Sequence, residues 1–239
     1  MKSKADILVV EDEPLLREIM ADWLGSEGYP VQTARDGIEA LQILEQNRVS
    51  LIVTDIRMPR MDGVALLKKL KESAADYIPA IVFVSGFADI DPRQAYDLGA
   101  GALVEKPFTD EDLLSAVKRM LTPREELWRA AAPQTNSLLL QGDFNSVVSA
   151  RESRQLAFGR GGFCLRSTAA RTEGPVRFDL NFSQEPLRMS GHGSIRWVRT
   201  AATELGVEIN GLAPDCLAQG IQLTVHSGTH SYIPGTARG

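Results

Sequence analysis

Over residues 5–122, a short apolar run followed by a segment with helical apolar spacing occurs five times in succession. That alternation constrains the chain more than any other feature. The apolar runs lie at 5–10 (ADILVV), 31–34, 51–54, 81–84 and 102–104. The first amphipathic segment opens at Pro14 and carries Leu15, Leu16, Ile19, Met20, Trp23 and Leu24. The others lie at 37–46, where Ile38, Leu41 and Ile43/Leu44 share a face, and at 64–71, 93–98 and 110–121. Nearly continuous apolar strands alternating with helices pack as a parallel sheet covered on both faces and joined by right-handed crossovers. The predicted fold of this half is an α/β doubly wound five-stranded parallel sheet.

In such sheets chemistry gathers beyond the carboxyl ends of the strands. The first run ends in Glu11-Asp12, the third in Asp55, the fourth in Ser85-Gly86 and the fifth in Glu105-Lys106-Pro107. Taken singly, each has a plain explanation as a helix N-terminal charge, a turn or a surface lysine. Independent turns and caps have no reason to supply acid, acid, hydroxyl and lysine at successive strand ends. Three carboxylates in one cleft repel, each pair by about 4 kcal/mol at ~4 Å and an effective dielectric near 20. A hard divalent cation with oxygen ligands relieves this, and magnesium suits one or two carboxylates with retained waters and phosphate oxygens. Lys106 adds a fixed positive charge. The chemistry such a set supports is in-line attack of an Asp55 oxygen on a phosphoryl donor.

Glu11-Asp12, Asp55, Ser85, Lys106-Pro107-Phe108 and Met58-Pro59-x-Met61-Asp62-Gly63, in this order, resemble the receiver domain of two-component response regulators, a flavodoxin-like fold, over residues 5–122. The resemblance implies that Asp55 is the phosphoacceptor and that Lys106 and Ser85 contact the phosphoryl group. It also implies Mg2+ as cofactor, held by Glu11, Asp12, Asp55 and the backbone carbonyl of Arg57, and a cis Lys106-Pro107 bond. The partner it implies is a sensor histidine kinase or phosphotransfer protein. Such a domain is a switch and not an enzyme beyond its own phosphotransfer and dephosphorylation. One departure is Leu103, which stands where the family often has an aromatic switch residue.

Composition divides the chain again. Residues 1–122 hold 14 Lys+Arg against 21 Asp+Glu, whereas 123–239 hold 12 against 10, and every basic side chain there is arginine. A helix is predicted from Pro123, carrying Leu127, Trp128, Ala130 and Ala131, with Trp128 packed back on the first half or, as the alternative, the helix pairing with its twin in a homodimer. A linker composition follows at 133–137. The expected division is a receiver at 1–122, a linker helix and linker at 123–137, and an output domain at 138–239. Within the last, 138–140 and 144–148 are predicted as a short helix. The runs at 156–158, 162–165, 176–182, 193–199 and 205–209 read as antiparallel strands parted by turn residues.

Gly159-Arg-Gly-Gly-Phe-Cys-Leu, the 178–182 alternation, Ile195-Arg-Trp-Val and Leu205-Gly-Val-Glu-Ile resemble a PilZ domain, a small antiparallel β-barrel. That resemblance implies cyclic di-GMP as ligand. The positions that would carry the nucleotide motif are Ala157 and Gly159, and Arg151 and Arg154 have the wrong spacing for its arginine arm. Arg151, Arg154, Arg160 and Arg166 are therefore expected to form a surface for a protein partner, with cyclic di-GMP the less favoured ligand and DNA binding a remoter alternative, since net +2 and strand periodicity do not suit a reading helix.

Trp197 is expected in the core. His226 and His230 lack a third metal ligand, and Cys164 and Cys216 are expected to be free thiols. No apolar stretch is long enough to span a membrane, and the amino-terminal residues do not resemble a signal peptide, so the expected location is cytoplasmic.

Overall fold

The computed structural model describes residues 6–72, 78–86, 89–129, 137–167, 172–199, 203–224 and 231–235. His226 and His230 lie outside these. The chain forms two compact units, one comprising 1–91 and 100–122, the other 92–99 and 123–239.

In the first unit the elements run β1 (Ile7–Val10), α1 (Pro14–Ser26), β2 (Val31–Ala34), α2 (Gly37–Gln46), β3 (Leu51–Asp55), α3 (Gly63–Glu72), β4 (Ala80–Ser85), β5 (Ala102–Glu105) and α5 (Asp110–Leu121). The intervening α4 (Pro92–Leu98) groups with the second unit. All five strands are parallel, in the order β2-β1-β3-β4-β5. Apolar continuity explains the placing of the central strands: every residue of β1 and β3 is buried. Ile7, Val9, Leu51, Val53, Val82 and Val84 enter one core with Met20, Leu24, Leu113 and Val117 from α1 and α5. Local chemistry fixes helix starts. Pro14 sits at the beginning of α1, Asp36 caps α2 by accepting the Ile38 and Glu39 N–H groups, and Thr109 and Asp112 form a reciprocal capping box on α5.

The second unit adds α6 (Arg124–Leu127), β6 (Leu138–Phe144), α7 (Val147–Glu152), β7 (Leu156–Phe158), β8 (Gly162–Arg166), β9 (Gly174–Phe182), β10 (Leu187–Arg199), β11 (Glu204–Leu212) and α8 (Leu217–Thr224). Its strand order is β6-β9-β10-β11-β8-β7. Two expectations are corrected here. The sheet is a curled, mixed half-barrel rather than an antiparallel barrel, because β6 joins β9 in parallel. Residues 138–144 are strand, not helix; the helix comes one turn later, where Ser146 and Ser149 make a capping box. A further helix, α8, lies beyond the last of the predicted strands.

Trp128 requires a third correction. It is fully buried within the second unit's own core, in the cluster that also holds Phe163, Phe178, Leu180 and Ile209, and its indole N–H donates to the Ile209 carbonyl at 2.9 Å. Trp197 is buried as expected, and Cys164 and Cys216 are free and buried. Within the same unit, the 231–235 segment bonds to α4. Tyr232 and Ile233 N–H donate to the Tyr96 carbonyl, and Gly235 N–H donates to the Asp97 carboxylate. The Tyr232 hydroxyl reaches buried Glu208 at 3.0 Å.

Among the described residues, no helix is long and apolar enough to cross a membrane.

Candidate functional site

Parallel register assembles the site. Val10 pairs with Thr54, so the residues that follow, Glu11 and Asp55, leave adjacent strands side by side, and Asp55 pairs in turn with Val84. Ser85 closes β4, opposite Glu105 on β5, and Lys106 follows. Glu11, Asp55 and Ser85 are buried and Asp12 is exposed.

Carboxylate oxygens of Glu11, Asp12 and Asp55 all lie within 4.8 Å of one another. The Lys106 ammonium donates to Asp55 Oδ2 at 2.8 Å and to Glu11 Oε2 at 3.0 Å. Two backbone N–H groups also face the acids, Glu13 onto Glu11 at 3.2 Å and Arg57 onto Asp55 at 3.3 Å. Burial pushes the Glu11 carboxyl above its ordinary value and the Asp55 charge adds to this, against the pull of Lys106. For Lys106, burial works against the charge, but the hydrogen bonds to Asp55 and Glu11 outweigh it and hold the ammonium more firmly than usual. The cleft is thus an anionic pocket with one anchored cation, and its all-oxygen donor set fits a hard divalent metal.

The backbone around Asp55 is tightly set. Thr54 Oγ1 donates to the Asp55 carbonyl at 2.9 Å, and Gly63 N–H donates to the Ile56 carbonyl. A Cβ on Gly63 would stand 2.2 Å from the Asp55 carbonyl oxygen, so the turn into α3 can pass this close only as glycine. The Lys106-Pro107 peptide bond is cis.

Several residues that shape the site carry no clear signal in the sequence. Asp36 is buried and pairs with Arg60, which has φ 65°. Gly37 N–H donates to the Met61 carbonyl, fastening the segment after β3 to the start of α2. Arg17 donates to the Glu11 carbonyl at 2.6 Å. The Asp36-Gly37 pair is legible as a helix cap, but its ion pair depends on two segments meeting in space.

The four arginines of the second unit do not behave alike. Arg151 and Arg154 are exposed at and just beyond the end of α7. Arg166 pairs with Glu204 at 3.5 Å. Arg160 turns inward and donates to the Gly99 carbonyl at 3.2 Å, and burial lowers its affinity for its proton.

Several known proteins are similar to this chain. Residues 7–118 match the model of the response regulator receiver domain. Response regulator MprA of Mycobacterium sp. (strain KMS) is 33% identical over 159 residues, covering 66% of this chain and 69% of that protein. Sensor histidine kinase RcsC of Escherichia coli (strain K12) is 34% identical over 116 residues, 48% of this chain and 12% of the kinase. Among solved structures, chemotaxis response regulator CheY4 of Vibrio cholerae is 30% identical with a TM-score of 0.45, covering 49% of this chain and 98% of that one. With its parallel sheet, the acids and lysine at the strand ends and a 33% identical relative of which it spans 69%, this chain belongs to the response regulators of two-component systems, and its receiver domain lies over residues 7–118.

Proposed function

We propose that Asp55 is the phosphoacceptor of this chain and that its phosphorylation switches an output domain. The observation that carries the reading is the Lys106 ammonium held between Asp55 and Glu11, with Ser85 at the end of the neighbouring strand. An Asp55 carboxylate oxygen attacks phosphorus in a phosphohistidine or a small acyl phosphate. The new P–O bond forms as the P–N or P–O bond to the donor breaks, and the leaving imidazole or carboxylate keeps the electron pair. Lys106 neutralises a phosphoryl oxygen as charge develops, and the Ser85 hydroxyl donates to another. A Mg2+ ion held by Glu11, Asp12, Asp55 and the Arg57 carbonyl would supply the remaining positive charge. The donor partner is a sensor histidine kinase or a phosphotransfer protein. The domain is a phosphoacceptor switch.

The proposed division is receiver 1–122, connecting segment 123–137 and output domain 138–239. We read the output domain as a divergent PilZ-like module that recognises a protein. Six strands and the Gly159–Gly162 turn support the likeness, although the parallel β6–β9 pair departs from it. Two of its arginine forks are engaged within the chain, Arg160 on a backbone carbonyl and Arg166 on Glu204, which leaves fewer for guanine edges and phosphates.

Incubation of the full chain with acetyl phosphate and Mg2+, followed by intact-mass measurement, is expected to add one phosphoryl group to the wild type and none to Asp55→Ala. Equal labelling of both would refute the assignment. Calorimetric titration of the same protein with cyclic di-GMP is expected to show no micromolar binding; a micromolar isotherm would make the nucleotide the output ligand instead.

A further inference from the structure

The two loops that flank Asp55 are tied to one another by a contact that phosphoryl transfer does not use. Arg57, two residues past the acceptor, places its N–H on the Asp55 carboxylate while its guanidinium pairs with Asp89, beyond β4. The other carboxylate oxygen of Asp89 accepts the Gly86 N–H at 2.5 Å, and the Asp89 N–H lies 3.3 Å from the Gly86 carbonyl. A Cβ on Gly86 would stand 2.8 Å from that carboxylate oxygen, so glycine permits the approach. The same Gly86 carbonyl accepts the Ser85 hydroxyl at 3.1 Å. The Asp89 side chain is only 11% exposed, whereas Arg57 is 73% exposed, so the carboxylate and the amide it holds are the sheltered half of the contact.

The hydroxyl of Ser85 therefore points along its own loop and not at the acceptor. To meet a phosphoryl oxygen on Asp55 it must leave the Gly86 carbonyl and carry the 85–86 backbone inward. That movement draws the Gly86 N–H away from a carboxylate anchored to the opposite loop, and a charge-assisted hydrogen bond has to be given up. The phosphorylated state is favoured only by what it gains in excess of this cost.

We infer that Asp89 is a positioning residue: through Gly86 and Arg57 it latches the segment after β4 in its resting place and limits how readily Ser85 reaches a phosphoryl group. This rests on the reading of Asp55 as phosphoacceptor. Asp89 meets Arg57 through the guanidinium and not through the backbone carbonyl proposed to hold the metal, so its removal should act on phosphorylation with little change in metal binding.

The test compares the full-length wild type, Asp89→Ala and Asp89→Asn for initial rate of labelling by acetyl phosphate, read by intact mass, and for Mg2+ affinity by calorimetry. Alanine removes both contacts. Asparagine keeps an oxygen for the Gly86 N–H but loses the charge that pairs with Arg57. Labelling of Asp89→Ala is expected to be about three- to tenfold faster than wild type, the share of a charge-assisted bond that water does not replace. Asp89→Asn is expected to fall between the two, with Mg2+ affinity within about twofold throughout. An Asp89→Ala rate equal to or below the wild type overturns the inference. Equal rates for the two variants overturn it as well, because the effect would then be the loss of a negative charge near an anionic donor. A variant that loses Mg2+ affinity gives Asp89 a structural role in place of the latch, and so overturns it too. A wild type that takes no phosphoryl group sinks the phosphoacceptor reading and the latch together, whereas a labelled wild type with an unaccelerated Asp89→Ala sinks the latch alone.

Discussion

Replacing Lys106 with alanine is expected to move two measurements in opposite directions: Mg2+ affinity rises about five- to tenfold, while phosphoryl transfer to Asp55 slows by about two decades. The ammonium lies 2.8 Å from Asp55 and 3.0 Å from Glu11, two of the groups proposed to hold the metal. A cation entering that space meets like charge. At ~5 Å and an effective dielectric between that of a protein surface and water, a lysine charge repels a divalent cation by about 2–7 kcal/mol before screening by salt. The lower end applies, since the Lys106 side chain is 28% exposed and screened by solvent. Alanine relieves this repulsion and leaves the acids to the metal. For the transferring phosphoryl group the balance reverses, because a cation fixed in advance near developing negative charge costs about two to three decades in rate when removed. Calorimetry with Mg2+ and labelling time courses with acetyl phosphate separate the two effects. If both quantities fall together, Lys106 serves to keep Glu11 and Asp55 in place and not to neutralise the phosphoryl group.

The first unit was legible because its chemistry is attached to chain periodicity. A parallel strand buried on both faces appears as an unbroken apolar run, and each run stops where the backbone leaves the sheet. Reading the next residue was enough to find Glu11, Asp55 and Ser85. Asp89 had no such marker. It lies four residues past the end of β4, its partners Arg57 and Gly86 come from two segments, and nothing in periodicity announces their meeting.

The second unit resisted for a related reason. Leu138, Leu139 and Leu140 form a short apolar run that fits a helix or a strand, but β6 is a terminal strand of its sheet, and Leu138 and Leu139 are 43% and 41% exposed while Leu140 is buried. Whether such a strand joins its neighbour parallel or antiparallel depends on the path of the chain and leaves no trace in composition. Two glutamates lie on β11. Both Glu204 and Glu208 are buried, and arginines satisfy them: Arg166 and Arg199 pair with Glu204, and Arg196 donates to Glu208 at 2.7 Å. Part of the arginine enrichment that pointed outward to a ligand is thus internal pairing of buried acids.

Trp128 carries the largest stability prediction, and its direction follows from where the residue packs. As a residue packed between units or in a dimer seam, its removal would alter association and leave each unit standing. As found, it is a core residue of the second unit, fully buried among Phe163, Phe178, Leu180 and Ile209. Its indole N–H donates to the Ile209 carbonyl at 2.9 Å, and its own carbonyl accepts the Leu212 N–H at 2.8 Å, so both ends of the residue bind β11. Truncation to alanine removes the ring contacts, opens a cavity and leaves the Ile209 carbonyl without its indole donor. The expected loss is about 3–5 kcal/mol, a large share of a domain stability of roughly 5–15 kcal/mol. Trp128→Phe keeps most of the volume and gives up the N–H donor, for a loss of about 1–3 kcal/mol. Chemical denaturation followed by circular dichroism of the strand signal should order the three proteins as wild type, Trp128→Phe and Trp128→Ala. Acetyl phosphate labelling of Asp55 in the same samples should stay within about twofold, since every member of the Trp128 cluster belongs to the second unit. A Trp128→Ala protein whose unfolding midpoint matches the wild type would remove this tryptophan from the core and return it to the role of a surface anchor.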